Sequence, residues 1–527
     1  MFDLGLLGGN VIDGTGSQPF KGDIAIKDGN IEYVGQVDPA KCKQAIDVSG
    51  LIVSPGFIDM HSHSDLKLFM EPVSLHKVKQ GITTELLGQD GLGVAPVNKK
   101  HITMLAELVS GLLGSLSHEK WGWDTFSSYL KALESCPLPN NVAVLASHGP
   151  IRMAAMDMSD RKASAEEMDV MTSVLNDAMH EGAFGLSTGL IYPPCSFAST
   201  NELLELTKKV EKNGGIFVVH LRDEGFYLKE ALNEMLQVCG ESGAHLHVSH
   251  LQAYGQANWK NLVPALEMIT DYSQKNNISF DRYPYLAGST VLTAVLPAWV
   301  LEGGGAACLQ RLEDPALREK IHREFDKGLE VWHNRSISVG WGKIVVCSLS
   351  SEKNKWMEGL SIEEISGKVN KNPIDTVCDL LLDEKLDVTM ISHYGSEDNL
   401  KKVLTHTLAT LGTDGIFSSK PHPRLYGTYP RFLGKYVRDE GILTLPEAVR
   451  KITSHPASIL GLKDRGFIKE GYQADITVFD ESSIIDTGSY ENPHLEPGGI
   501  THVFVNGVQV INKGEEVNVW PGRVLEK

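Results

Sequence analysis

The sequence contains no apolar run approaching the roughly 18–20 residues that a membrane-spanning helix needs. Its start, Met1-Phe2-Asp3-Leu4-Gly5, has no basic segment ahead of an apolar one, so no secretory leader is expected and the protein is read as cytoplasmic. Cysteines are few: Cys42, Cys136, Cys195, Cys239, Cys308, Cys347 and Cys378 are odd in number, scattered, and form no Cys-X-X-Cys pair. That spacing argues against a disulfide framework or a structural zinc knot and predicts buried free thiols. Basic residues are outnumbered, 49 against 67 acidic, and the net charge of −18 speaks against a nucleic-acid partner. There is no internal repeat, no low-complexity tract, and no Gly-rich dinucleotide fingerprint after a strand-like run.

What is present is a chain of 527 residues, ample for more than one domain. Its two ends read as β-rich. Leu4–Leu7, Asp23–Ile26 and Ile31–Gly35 are separated by turn pairs such as Asp13-Gly14 and Asp28-Gly29, and Asn506-Gly507 marks a hairpin before Val508–Ile511. Residues 1–50 and 466–527 are therefore expected to build one small β-sandwich domain together. Between them strand-like runs alternate with helix-compatible stretches: Leu51–His63, Ile82–Gly88, Val142–His148, Ala183–Leu190, Ile216–Arg222, His245–Leu251, Ser279–Tyr285 and Ala409–Asp414. Eight β segments alternating with helices predict an α/β fold, a (β/α)₈ TIM barrel over 51–465, with an insertion at 291–405 before the last barrel strand, partly covering the site. A doubly wound open sheet is the competing architecture.

In such a barrel, chemistry sits at the C-terminal ends of the strands. Strand 1 ends in Ser54-Pro55-Gly56-Phe57-Ile58-Asp59-Met60-His61-Ser62-His63, where side chains two apart share a face, so His61 and His63 can grip one ion. Asp90 follows strand 2. His148 ends strand 3, His220 strand 5, His250 strand 6 and Asp414 strand 8. Each alone could be an ordinary polar residue; together they predict a metal site. The nitrogen and oxygen ligands suit zinc, with other divalent metals possible, and the ligand count allows one ion or two. His148, His245 and His247 are read as structural, Glu85 as a weaker alternative to Asp90, and the remaining histidines, including His118 and His333, as weaker cases.

These residues resemble the amidohydrolase superfamily. Gly81-Ile82-Thr83-Thr84, Gly189-Leu190-Ile191-Tyr192-Pro193-Pro194, His220-Leu221-Arg222-Asp223-Glu224-Gly225, Asp281-Arg282-Tyr283-Pro284-Tyr285 and Gly412-Thr413-Asp414-Gly415 leading to His422-Pro423-Arg424-Leu425-Tyr426-Gly427 narrow the resemblance to its D-aminoacylase (N-acyl-D-amino-acid deacylase) branch. The resemblance implies a metal-dependent hydrolase that cleaves a small-molecule amide. His61 and His63 would hold one metal position, His220 and His250 the other, and Asp414 would contact the metal and act as base, then acid. Tyr192, Tyr283, Ser289 and Arg424 would bind the amide oxygen and the substrate carboxylate. Two positions depart from the family pattern. Asp90 stands where a ligating cysteine is common. Gln252 stands where a lysine often helps bind the substrate carboxylate. They keep open a cyclic amide or imide, or a dipeptide with a D-residue, as the substrate. A non-catalytic scaffold would be expected to have lost the ligands, and this chain has kept them.

Overall fold

The computed structural model describes residues 1–70, 75–328 and 334–527, with only the backbone of His118. His333, and residues 329–333 of the expected insertion, lie outside the described residues.

Eight parallel strands form the barrel: Phe57–Asp59, Ile82–Leu87, Asn141–Val144, Gly185–Gly189, Ile216–His220, His245–Val248, Ile278–Arg282 and Ala409–Leu411, called strands 1 to 8 here. The ring closes where strand 1 meets strand 8. Met60 N–H donates to Leu411 O (3.2 Å), Asp414 N–H donates to His61 O (2.8 Å), and Ser62 bridges Gly415 in parallel. Strand 3 is shared between its neighbours. Asn141–Val144 pairs with strand 2, while the continuation Ala146–Ser147 pairs with strand 4. The helices outside carry the caps that the sequence advertises: Ser164 and Glu167 form a reciprocal capping box ahead of Ala165–His180. Leu175 and Met179 from this helix, and Leu203, Leu206 and Val210 from the next, Thr200–Lys212, lie fully or almost fully buried in the core they share with the strands. Each such side chain contributes about 1.5–3 kcal/mol.

The run Leu51–His63, expected as one strand, is two. Ile52–Pro55 belongs to a separate nine-stranded sheet, where it lies antiparallel to Ile476–Phe479 and parallel to the first strand, Phe2–Val11. The break falls at Gly56. A Cβ there would come within 2.1 Å of Thr83 Oγ1, so only glycine lets the chain pass this close to strand 2 as it turns into the barrel. The sheet joins strands from both ends of the chain in one hydrogen-bonded path, and its halves share an apolar core of Leu4, Leu6, Ile24, Ile26, Ile476, Val478 and Phe504. The Asn506-Gly507 hairpin appears as read, with both residues at positive φ (50° and 79°).

Between strands 7 and 8 the chain builds a three-stranded antiparallel sheet, Ala287–Val291, Thr389–His393 and Ile344–Ser348, with its own core of Leu292, Val295, Val346 and Met390. It begins four residues before the expected insertion and brings Ser289, Arg335 and Tyr394 to the mouth of the barrel. Among the described residues no helix is long and apolar enough to cross a membrane. All seven cysteines are free thiols.

Candidate metal centre

Six of the expected ligands meet at the C-terminal end of the barrel. Asp90 is their hub. Its carboxylate oxygens lie 3.7 Å from His61 Nε2, 3.7 Å from His63 Nε2, 3.8 Å from His220 Nδ1 and 4.0 Å from His250 Nε2. Asp414 Oδ1 faces the other side of the first pair, 3.2 Å from His63 Nε2 and 3.7 Å from His61 Nε2. The His220 and His250 rings are 4.4 Å apart, centroid to centroid. Two donor sets emerge, His61–His63–Asp414 and His220–His250–Glu224, with Asp90 between them.

The backbone is bent to make this convergence. Asp90, His250 and Asp414 all have positive φ (56°, 32° and 47°), uncommon for residues with a side chain. Three such residues around one point mark a place where the surrounding fold holds the backbone in a sparsely populated conformation.

Buried polar atoms are normally paired. Here both ring nitrogens of His61 and of His220, Nδ1 of His63, Oδ1 of Asp90 and Oε2 of Glu224 are buried without a hydrogen bond. His61 Nε2 faces Asp90 Oδ1 at 3.7 Å, His220 Nδ1 faces Asp90 Oδ2 at 3.8 Å and His220 Nε2 faces Glu224 Oε2 at 3.7 Å, all too long for hydrogen bonds. A divalent cation beside Asp90 would satisfy the nitrogen that each imidazole turns to the centre, and imidazole with carboxylate is the donor set that zinc and its neighbours take. The residues fit the metal.

The electrostatics divide the four imidazoles: against their burial, Asp414, Asp90 and Asp281 raise His61, and Glu224, Asp414 and Asp90 raise His250. Burial lowers the His220 imidazole to about 4 and also lowers His63, keeping both in the neutral form that ligates. Burial opposes the charge of Asp414, but Arg424, His61, His63 and His250 outweigh it and hold the carboxyl well below the usual range. Asp90 is likewise held low against its burial by His61, His220 and His250.

The expected substrate residues divide. Tyr192 donates to or accepts from Thr290 Oγ1 (2.8 Å), and its ring lies edge-on to His220, with centroids 5.2 Å apart. Tyr192, Gln252, Tyr283 and Ser289 line one small pocket beside His63, Asp90, His220, His250 and Asp414. Arg424, expected to face a substrate carboxylate, is fully buried beside Asp414, Nη1 to Oδ2 2.9 Å, and donates to Ser289 O (3.0 Å).

The residues read as structural keep away from the centre. His148 bonds to Thr188 and Glu202. Glu85 accepts from Ser62 Oγ (2.6 Å) and Asn140 (3.0 Å).

Three contributors were not singled out from the sequence. Glu224 Oε1 lies 2.9 Å from His250 Nδ1, which turns His250 Nε2 to the centre. Asp281 Oδ2 does the same for His61, 3.5 Å from Nδ1, and is itself held by His247 Nε2 (3.1 Å). Such carboxylates fix the ring and its tautomer. Glu224 sits four residues after His220, a spacing that could have marked it. Arg335, 3.5 Å from Glu224, comes from the insertion, and nothing near it in sequence announces it.

The amidohydrolase family model matches residues 44–511. The chain belongs to the amidohydrolase family. Within it, this amidohydrolase sits on the D-aminoacylase branch. It is 31% identical to the D-aminoacylase of Alcaligenes xylosoxydans xylosoxydans over 527 residues, 100% of this chain and 98% of the relative. Its fold matches the N-acyl-D-glutamate deacylase of Bordetella bronchiseptica, solved with zinc and a phosphonate mimic of the tetrahedral intermediate, at a TM-score of 0.85 and 28% identity, covering 100% of both chains. A D-aminoacylase solved for the role of its binuclear metal centre matches equally, TM-score 0.85 and 30% identity over 100% of both chains.

Proposed function

We propose that the protein is a metal-dependent N-acyl-D-amino-acid deacylase that hydrolyses the amide to a carboxylate and a free D-amino acid. The observation that carries this is the cluster of buried, unpaired ligand atoms on His61, His63, Asp90, His220 and Glu224, closed by His250 and Asp414, in a chain related end to end to deacylases. Zinc, one ion or two, is the cofactor that the relatives and the donor set support. Held there, a divalent cation supplies Lewis acidity, which acidifies water and polarises a carbonyl.

The side chains do the rest. Asp414 stands at the rim of the pocket, its Oδ1 toward the imidazoles and its Oδ2 on Arg424. It takes the proton of the attacking water and returns it to the departing nitrogen, since an amine leaves poorly unless protonated. Arg424 keeps the Asp414 carboxyl ionised and fixed in place. The Tyr192 hydroxyl, steered by Thr290, is placed to donate to the developing oxyanion. Tyr283, Ser289 and Gln252 form the wall where the amino-acid half binds. The Asp90 carboxylate takes the place of a thiolate between the two donor sets, a harder ligand that favours harder divalent ions than a cysteine would.

A reduced compartment, the cytoplasm, fits seven unpaired cysteines. The test is hydrolysis of paired N-acetyl-D- and N-acetyl-L-amino acids by zinc-loaded protein, with a chelated control. Metal-dependent turnover confined to the D series is expected. A loaded protein that cleaves neither series, but opens a cyclic amide, would overturn the reading.

A further inference from the structure

Three buried arginines surround the pocket, and two have carboxylate partners. Arg424 faces Asp414 at 2.9 Å and Arg335 faces Glu224 at 3.5 Å. The third, Arg282, is 3% exposed, and no carboxylate among the described residues lies within 4 Å of it. Its contacts are neutral. Nη1 donates to Gln252 Oε1 (2.5 Å) and to Tyr394 Oη (3.3 Å), Nη2 donates to Tyr285 O (3.0 Å), and the guanidinium stacks 4.1 Å over the Tyr283 ring. A buried charge without a counter-charge is costly and persists where something charged completes it.

We propose that Arg282, acting through Gln252 and the Tyr394–Tyr283 hydroxyl pair, is the positive element that reads the α-carboxylate of the substrate. The proposal rests on the deacylase reading and names how this chain recognises the amino-acid half. A guanidinium has no acceptor, so Gln252 must present its carbonyl to Arg282, and its NH₂ is then turned the other way. Gln252 itself lines the pocket. The second Nη1 proton goes to Tyr394 Oη, leaving the Tyr394 hydroxyl free to donate to Tyr283 Oη and the Tyr283 proton free for the pocket. Gly288 makes room for this pair. A Cβ there would lie 2.6 Å from Tyr283 Oη and 2.9 Å from Tyr394 Oη. Arg282 thus turns two neutral groups that line the same pocket into donors, and an incoming carboxylate supplies the missing counter-charge. A lysine at position 252 would stand against the guanidinium, so Gln252 and Arg282 act as a matched pair.

The test compares N-acetyl-D-amino acids with their neutral C-terminal amides on the metal-loaded protein. Wild type should prefer the acids. Gln252→Glu keeps the shape and pairs with Arg282, so it should fold, yet neutralise the pocket: kcat/KM on the acids should fall about 10- to 100-fold relative to that on the amides, mostly through KM. Arg282→Met should lose the preference for acids, and Arg282→Met with Gln252→Lys should regain it, a rescue that a merely structural arginine would not give. A Gln252→Glu enzyme that keeps the wild-type preference overturns the proposal. If wild type cleaves neither acid nor amide, the deacylase reading fails, and calorimetric binding of the same pairs decides the subsite. An acid preference lost in Gln252→Glu upholds it; equal binding of acid and amide overturns it.

Discussion

Two buried charge clusters stand near one another at the C-terminal end of strand 1, and they are built on opposite principles. In the first, Lys77 donates to Asp59 and to Thr413 Oγ1 (2.8 Å), and Asp59 accepts from the backbone of Thr413 (2.8 Å) and of His61 (3.2 Å). Every charge has its partner inside the protein. In the second, Asp90 and its four histidines point at one another across distances that make no hydrogen bond, and atom after atom is unpaired. A satisfied cluster is a fastener: it pins the loop carrying Asp414 to the start of the loop carrying His61. An unsatisfied one is a socket, whose desolvation cost is met only by what enters it.

The contrast can be broken at several points. The largest effect is expected at Asp414, which belongs to the socket and is held by the fastener. Asp414→Asn keeps the shape but removes the proton acceptor, so kcat should fall by about 10²–10⁴-fold, and because it leaves the buried Arg424 guanidinium without its carboxylate the thermal midpoint should fall as well. Rates and a melting curve check this together; near-normal turnover would remove Asp414 from the role of base.

At the fastener, Lys77→Met leaves Asp59 charged and buried, and unfolding in urea should show a loss of about 3–5 kcal/mol. Adding Asp59→Asn should return most of it, because Asn can still accept from His61 and Thr413 and no charge is stranded. A double variant no better than the single one would mean that packing, not charge, is at stake.

Asp281 tests the join between ligand and support. It touches His61 Nδ1, His247 and the backbone N–H of His250, but not the centre itself. Asp281→Asn should weaken metal retention about 10–100-fold in a chelator competition, with the fold preserved.

These clusters also show what a single sequence exposes. The residues that converge at the site were legible because each closes a strand run, and a barrel gathers strand ends at one face: His61 with His63, His220, His250 and Asp414 needed no knowledge of neighbours. The supports were not. Asp281 reaches His61 across the closed barrel, Lys77 reaches Thr413 over 336 positions, and Arg335 and Tyr394 arrive on an insertion whose approach only tertiary packing sets. The same limit explains Leu51–His63. Two short apolar runs joined through Ser54-Pro55-Gly56 read as one strand, and the change of sheet at Gly56 stayed hidden because the reason for it, the closeness of Thr83, lies on another strand. Arg424 was placed on the site, and its contact with Asp414 depended on which way a helix turned its first residue.

Glu85 gives the smallest and sharpest test of the difference between fastener and socket. It is a buried carboxylate on strand 2, close in sequence to Asp90, and by residue type alone it could ligate a metal as well. Its geometry says otherwise. It accepts from Ser62 Oγ and from Asn140, and Lys77 Nζ lies 3.6 Å away, so it belongs with the fastener. Glu85→Gln retains the shape and most of the hydrogen bonding, so stability should drop by only about 1 kcal/mol. Metal stoichiometry should not change at all. Asp90→Asn, equally isosteric, should weaken metal binding because it removes the charge that four imidazoles face. Metal analysis of the two variants side by side separates them: loss of an ion from Glu85→Gln, or full retention by Asp90→Asn, would exchange their roles and move the socket one turn of the barrel inward.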